Sequence, residues 1–273
     1  MKKIVLLLLF APFLWLGCEK EDPKPTPTPV KPDKPSVPAP ILIPDAVTDF
    51  DGNHYDAVQI GEQVWMAQNL RTTHYAHGEG MQQNIYTSSN AHRIYYYPND
   101  NEEDVETYGL LYNWVAAICG TAVDSDNNPY GLQGVCPDGW HIPSDAEWTQ
   151  LTDYVSSCGY YSYGGDADAI AKALADTNLW ASSYIDGAVG NDMSANNATG
   201  FAARPAGIRV ADTYYPYSQF GFGACFWTST DLNEEMDPRA RPAIYRGIYS
   251  HSSFVGRGST RKENACSVRC LRD

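Results

Sequence analysis

Residues 136–151, CPDGWHIPSDAEWTQL, place Cys136, Trp140, His141, Asp145, Glu147 and Trp148 within sixteen positions. The stretch reads either as a catalytic constellation or as the place where a fold is stapled and a helix begins. Pro143 breaks the preceding segment, Ser144 is a good N-cap, and Glu147 three residues on completes an S-x-x-E capping box. Trp148, Leu151 and Val155 then follow at the i, i+3, i+7 spacing of a helix with one inward stripe. Asp145 and Glu147 fall in the first turn, where the aligned peptide dipoles favour negative charge. Both carboxylates therefore have structural work. The six histidines stand at positions 54, 74, 77, 92, 141 and 251, and none has a ligand-like spacing to His141. The stretch is predicted to be a strand end, half of a disulfide and a helix start.

Working upstream, DFDGNHYDAVQIGEQVWMAQNL (residues 49–70) carries turn signals at Asp51-Gly52 and Gly61-Glu62 between β-prone runs. That pattern predicts a meander of short strands. YGLLYNWVAAICG (residues 108–120) puts Leu110, Trp114 and Ile118 at four-residue spacing with Gly120 as a stop, which predicts an amphipathic helix. Another helix is predicted from about Asp166 to Asn178, with Ile170 and Leu174 on one face. Beyond it, GFAARPAGIRV, CFWTSTD, AIYRGIYS and ACSVRCLRD read as short strands among Gly-, Asn-, Ser- and Tyr-rich connections. Short strands, long loops and two or three helices describe an α+β domain rather than a doubly wound sheet.

The N-terminus is of another kind. Lys2 and Lys3 precede a thirteen-residue apolar run, Ile4 to Leu16, ending at Gly17-Cys18. A membrane span needs about twenty residues, so residues 1–17 read as a cleaved signal, with Cys18 then acylated as in a bacterial lipoprotein. Residues 18–44 form a tether holding nine prolines, from Pro23 to Pro44, which favour an extended, semi-rigid spacer. The acidic run Glu19-Lys20-Glu21-Asp22 resembles the surface-export signal of Bacteroidota lipoproteins. The expected location is therefore the outer membrane, with a head of residues 45–273 facing outward.

Removal of Lys2 and Lys3 reduces 19 basic residues to 17 against 33 acidic ones, a net charge of −16. Nucleic acid and anionic surfaces are poor partners for such a chain. Besides Cys18 there are six cysteines, Cys119, Cys136, Cys158, Cys225, Cys266 and Cys270. In an exported protein they admit up to three disulfides and fifteen pairings.

Six ordered motifs, DGNHYDAVQIGEQVWMAQNL, YGLLYNWVAA, CPDGWHIPSDAEW, NATGFAARPAG, FWTSTD and CSVRCLRD, resemble the Fibrobacter succinogenes major paralogous domain. The resemblance spans about residues 49–273. It implies a distant relation to C-type-lectin-like and formylglycine-generating-enzyme folds, in which a compact twisted antiparallel sheet with flanking helices carries long variable loops. It also implies a bridge between Cys136 and Cys270, leaving the pairing of Cys119, Cys158, Cys225 and Cys266 open. No catalytic residues come with it.

Three functions compete. A surface glycan-binding or adhesion head needs exposed aromatic platforms beside amides and carboxylates, because sugar rings present apolar faces edged with hydroxyls. Tyr160, Tyr161 and Tyr163 form one such cluster; Tyr214, Tyr215, Tyr217 and Phe222, beside Asp212 and Gln219, form another. Asp124, Asp126 and Asn128 alternate like the start of a calcium loop, without its glycine or its final acidic ligand. An enzyme is disfavoured: Cys266 and Cys270 lack the spacing of the copper-holding pair in the formylglycine-generating enzymes, and no nucleophile–base order or phosphate loop stands out. A structural or tip component of a surface assembly needs only a rigid head and a protein partner. The expectation is a non-catalytic lipoprotein, anchored in the lipid membrane through Cys18, that binds a neutral extracellular glycan.

Overall fold

The computed structural model describes residues 39–83, 91–120, 131–159, 162–232 and 242–273. The signal, Cys18 and most of the tether lie outside them. The turn signals at Asp51-Gly52 and Gly61-Glu62 close an antiparallel meander of β1 (Ile41–Thr48), β2 (His54–Ile60) and β3 (Gln63–Met66). The first strand thus starts ahead of the expected boundary at residue 45. It accommodates Pro44 by a register shift between Ile43 and Val47, with Asp45 at φ 49°, as proline in a strand requires an irregularity or an edge.

The chain continues through β4 (Gln82–Gln83), β5 (Ile94–Tyr96), α1 (Val105–Tyr108), β6 (Leu111–Asn113) and α2 (Trp114–Ala117). It then forms β7 (Trp140–His141), α3 (Asp145–Ser157) and α4 (Ala171–Leu174). The last third is β8 (Ile208–Arg209), β9 (Tyr217–Ser218), β10 (Gly223–Asp231), β11 (Pro242–Tyr249), β12 (Gly256–Arg261), β13 (Ala265–Cys266) and β14 (Leu271–Arg272). The strands make three sheets, ordered β1-β2-β3-β14-β7, β10-β11-β12 and β4-β5-β6-β13-β8-β9. Named strands pair antiparallel except β4 with β5. The fold is α+β, dominated by short strands. Among the described residues no helix is long and apolar enough to cross a membrane.

The opening stretch folds as its residues require. Ser144 Oγ accepts from Glu147 N at 3.2 Å and Glu147 Oε2 accepts from Ser144 N at 2.7 Å, the reciprocal bonds of a capping box. Trp148, Leu151 and Val155 are the buried residues of α3. Trp148 packs on Trp65 at 4.9 Å, Phe201 at 5.7 Å and Phe226 at 5.5 Å between ring centroids. Cys136 and Cys270 are bonded, with Cα atoms 5.9 Å apart. Cys119, Cys158, Cys225 and Cys266 are free thiols.

Two helices are shorter than their periodicity predicts. Leu111–Asn113 is a strand because it pairs with β5 on one side and β13 on the other. Asn113 Oδ1 then accepts from Ala116 N at 3.0 Å and caps the single turn α2. The expected helix from Asp166 to Asn178 is reduced to α4, because Ala175 leaves helical geometry to bridge Ala203 in parallel. Tertiary pairing outweighs helix propensity at both places.

A charge lies at the centre. Arg269 is 1% exposed, and its Nε donates to Asn69 Oδ1 at 3.1 Å. Its Nη1 donates to the carbonyls of Met66 and Phe201, and its Nη2 to Asn69 Oδ1 and the Ala202 carbonyl. The guanidinium also stacks over Phe201, 4.5 Å from the ring centroid. Burial pulls its pKa down to about 9.

Candidate functional site

His141 is the most chemically suggestive residue in the opening stretch, and its surroundings define its role. Its Nδ1 lies 2.7 Å from Asp273 Oδ1 and its Nε2 lies 2.9 Å from Glu147 Oε1, with the side chain 6% exposed. Burial opposes its charge, yet the bonds and charges of Glu147 and Asp273 together hold its pKa above the ordinary range. Burial likewise opposes ionisation of Glu147, but His141 and the Ser144 N–H outweigh it and lower the carboxyl. Gly131 packs so closely that a Cβ there would lie 2.4 Å from His141 Cγ. Both ring nitrogens are committed to carboxylates, and a packed ring has no room for a substrate. The cluster ties β7 to the start of α3 and to the C-terminal segment. Among the described residues, no group of three His, Cys, Asp or Glu side chains is placed to hold a metal.

Exposed aromatic rings are the next candidates. Tyr214 and Tyr215 sit at the tip of the β8–β9 hairpin, whose neck is closed by the Val210 N–H donating to the Pro216 carbonyl at 2.6 Å. They are 89% and 80% exposed, and their rings meet edge to face at 4.8 Å. Neither ring contributes to the core. Asp212, beside them, pairs with Arg261 at 2.9 Å and so anchors the hairpin to the end of β12.

The remaining members of that sequence cluster are placed otherwise. Tyr217 is half-buried on β9 and packs against the small core formed by Ile94, Tyr96, Tyr108 and Leu111. Burial, with the nearby Asp100 carboxylate, pushes its phenol up to about 12. Gln219 is a turn residue at φ 63° whose carbonyl accepts from Phe222 N and Gly223 N, each at 2.8 Å. Phe222 is 55% exposed and lies past the far end of β9 from Tyr214 and Tyr215. The strand separates the two halves of the cluster.

Tyr163 is exposed, and its ring lies on Gly187, where a Cβ would stand 2.2 Å from the ring. Its neighbours Tyr160 and Tyr161, and the calcium candidates Asp124, Asp126 and Asn128, lie outside the described residues. Among the described residues, sequence reasoning missed four exposed aromatics, Phe50, Tyr154 on α3, Tyr184 and Phe254. For Tyr154 the signal was present: on α3 it flanks the Trp148, Leu151, Val155 stripe and is not among its buried residues.

A family model, the Fibrobacter succinogenes major domain, matches residues 58–272. No curated protein and no solved structure matches the chain. The matched region runs from the second strand of the meander to β14, and so includes the bonded cysteines, the capping box, the buried Arg269 and the β8–β9 hairpin.

Proposed function

From the membership of this chain in the Fibrobacter succinogenes major domain family, we propose that it is a surface lipoprotein, anchored through Cys18, whose head binds a neutral glycan without transforming it. One observation carries the reading: Tyr214 and Tyr215 form an aromatic pair at a hairpin tip, where they add nothing to the core. A ring exposed there keeps an unfavourable contact with water that stacking on the apolar face of a sugar removes. The edge-to-face contact and the neck bond hold both rings in place, which lowers the ordering cost of binding. Net negative charge favours neutral polysaccharides over sulfated or uronic-acid polymers by like-charge repulsion. The C-type-lectin-like architecture belongs to the same proposal. It is supported by short antiparallel strands, one full-length helix and ligand candidates placed on loops.

The test is affinity electrophoresis of the wild type and of Tyr214→Ala and Tyr215→Ala in gels containing neutral polysaccharides. Weaker retention at an unchanged melting temperature supports the reading, since the rings would then serve a ligand rather than the fold. Lower stability at unchanged retention overturns it. If no glycan retards the protein and a surface protein is recovered by crosslinking instead, the head is a component of a surface assembly.

A further inference from the structure

We propose that the outer face of α3 is a second carbohydrate site, a trough across the helix that holds one extended, neutral polysaccharide chain. The inference rests on the glycan reading above and assigns it a place that the hairpin tip does not include. Two open cavities flank α3. One, of about 700 Å³, lies between the helix and the β2–β3 turn, lined by Gly61, Glu62, Gln150, Asp153 and Tyr154 among others. The other, of about 380 Å³, lies where Thr152 and Asp153 face Asp168, Arg246 and Phe254. Asp153 borders both, so the two cavities adjoin on the outer side of the helix, which is roughly 10 Å across.

Each cavity contains one aromatic ring, Tyr154 at 40% exposure and Phe254 at 46%. The Tyr154 ring and the backbone that carries Phe254 are held in advance. Tyr154 lies flat on Gly61, where a Cβ would stand 2.9 to 3.1 Å from three ring atoms. Gly61 also has φ +63°, so this turn suits glycine on two counts. The backbone that carries Phe254 is fixed by its N–H donating to Ser252 Oγ at 3.0 Å, while the neighbouring Ser253 carbonyl accepts from Ala171 N at 2.9 Å. A ligand meeting groups fixed in this way loses little free energy to ordering them.

The polar lining selects the ligand. Glu62, Asp153 and Asp168 supply acceptors for hydroxyl groups, and Gln150 supplies both a donor and an acceptor. Arg246 is the one cation in either lining, and it is already engaged: Nε donates to Asp145 Oδ1, and Nη2 to the Asp145 carbonyl and Thr149 Oγ1. Three carboxylates without an available cation repel uronate and sulfate groups. Two apolar platforms with hydroxyl acceptors between them fit a neutral polyol chain that stacks at both ends.

The experiment uses the full-length protein in non-ionic detergent, run in native gels containing hydroxyethylcellulose, glucomannan, galactomannan or soluble starch, with polylysine as a control. Tyr154→Ala and Phe254→Ala should each weaken retention in the retarding glycan by about tenfold, the loss of one stacking contact. Gln150→Trp, which fills the trough without removing a packed ring, should do the same at an unchanged melting temperature, so misfolding of Tyr154→Ala would not decide the matter. If a glycan retards the wild type and all three variants equally, the trough is overturned while the glycan reading stands. If no glycan retards the wild type, both fall. Retention by polylysine in place of glycan would make the carboxylates a site for basic peptides and overturn the trough.

Discussion

Glu147 Oε1 lies 2.9 Å from His141 Nε2, so the residue that completes the capping box of α3 also neutralises a buried imidazole. The pair gives stability a pH dependence with a definite sign. His141 has its folded pKa above the ordinary 6.5, so its contribution is complete below pH 6.5 and lost as pH rises through the folded value. Glu147 is lowered below the ordinary 4.5, so its contribution is complete above pH 4.5 and lost as pH falls through the folded value. The contact therefore stabilises most between those limits. Thermal melts should show a fall in midpoint from about pH 6 to about pH 9 that is smaller in His141→Gln. An identical fall in the variant would assign the alkaline loss to other groups.

The Cys136–Cys270 bond closes a loop with a sequence separation of 134 residues. In the chain-entropy account its removal by Cys136→Ser with Cys270→Ser should destabilise the head by about 3 to 5 kcal/mol. Denaturant midpoints of the double variant measure this directly. A change below about 1 kcal/mol would mean that the denatured chain is already restricted near these residues.

The four free thiols should react in two classes. Cys225 and Cys266 are buried, and burial pushes the Cys225 thiol up to about 12 and the Cys266 thiol well above its ordinary value. Cys119 and Cys158 are half-buried. Iodoacetamide on the folded protein, with the Cys136–Cys270 bond intact, should label Cys119 and Cys158 first and reach Cys225 and Cys266 only after unfolding. Peptide mass mapping reads the order, and early labelling of Cys225 would show that β10 opens locally.

The proposed anchoring depends on the Cys18 thiol. Cys18→Ala should leave the protein in the soluble fraction after lysis, and the wild type should sediment with membranes. Protease treatment of intact cells should then remove the wild-type head if it faces outward. Membrane association of Cys18→Ala would assign the attachment to another segment.

The features legible in the sequence were those decided by near neighbours. The capping box needs only Ser144 and Glu147, and the meander turns need only Asp51-Gly52 and Gly61-Glu62, so both follow from local chemistry. The stretch 110–118 misleads because Leu110, Trp114 and Ile118 are buried at a helical interval, although a strand and one turn place them there. What decides it is pairing with β5 and β13, and β13 lies far along the chain. The tyrosine run 214–222 misleads in the opposite way. Adjacency in sequence suggests one surface, but β9 sends Tyr214 and Tyr215 to one end and Phe222 to the other. The trough was invisible for the same reason: Tyr154 finds Gly61, and Phe254 finds α3, only once the sheets are assembled.

The place of β14 between β3 and β7 has a consequence for how the molecule comes into being. β3 must wait for a partner far along the chain, and the carbonyls of Met66, Phe201 and Ala202 wait for Arg269. Such long-range closure delays folding until β14 is available. A chain emerging from the ribosome therefore keeps an open seam between β3 and β7 until β14 has been made. The seam closes when β14 slides into the gap and Cys270 meets Cys136.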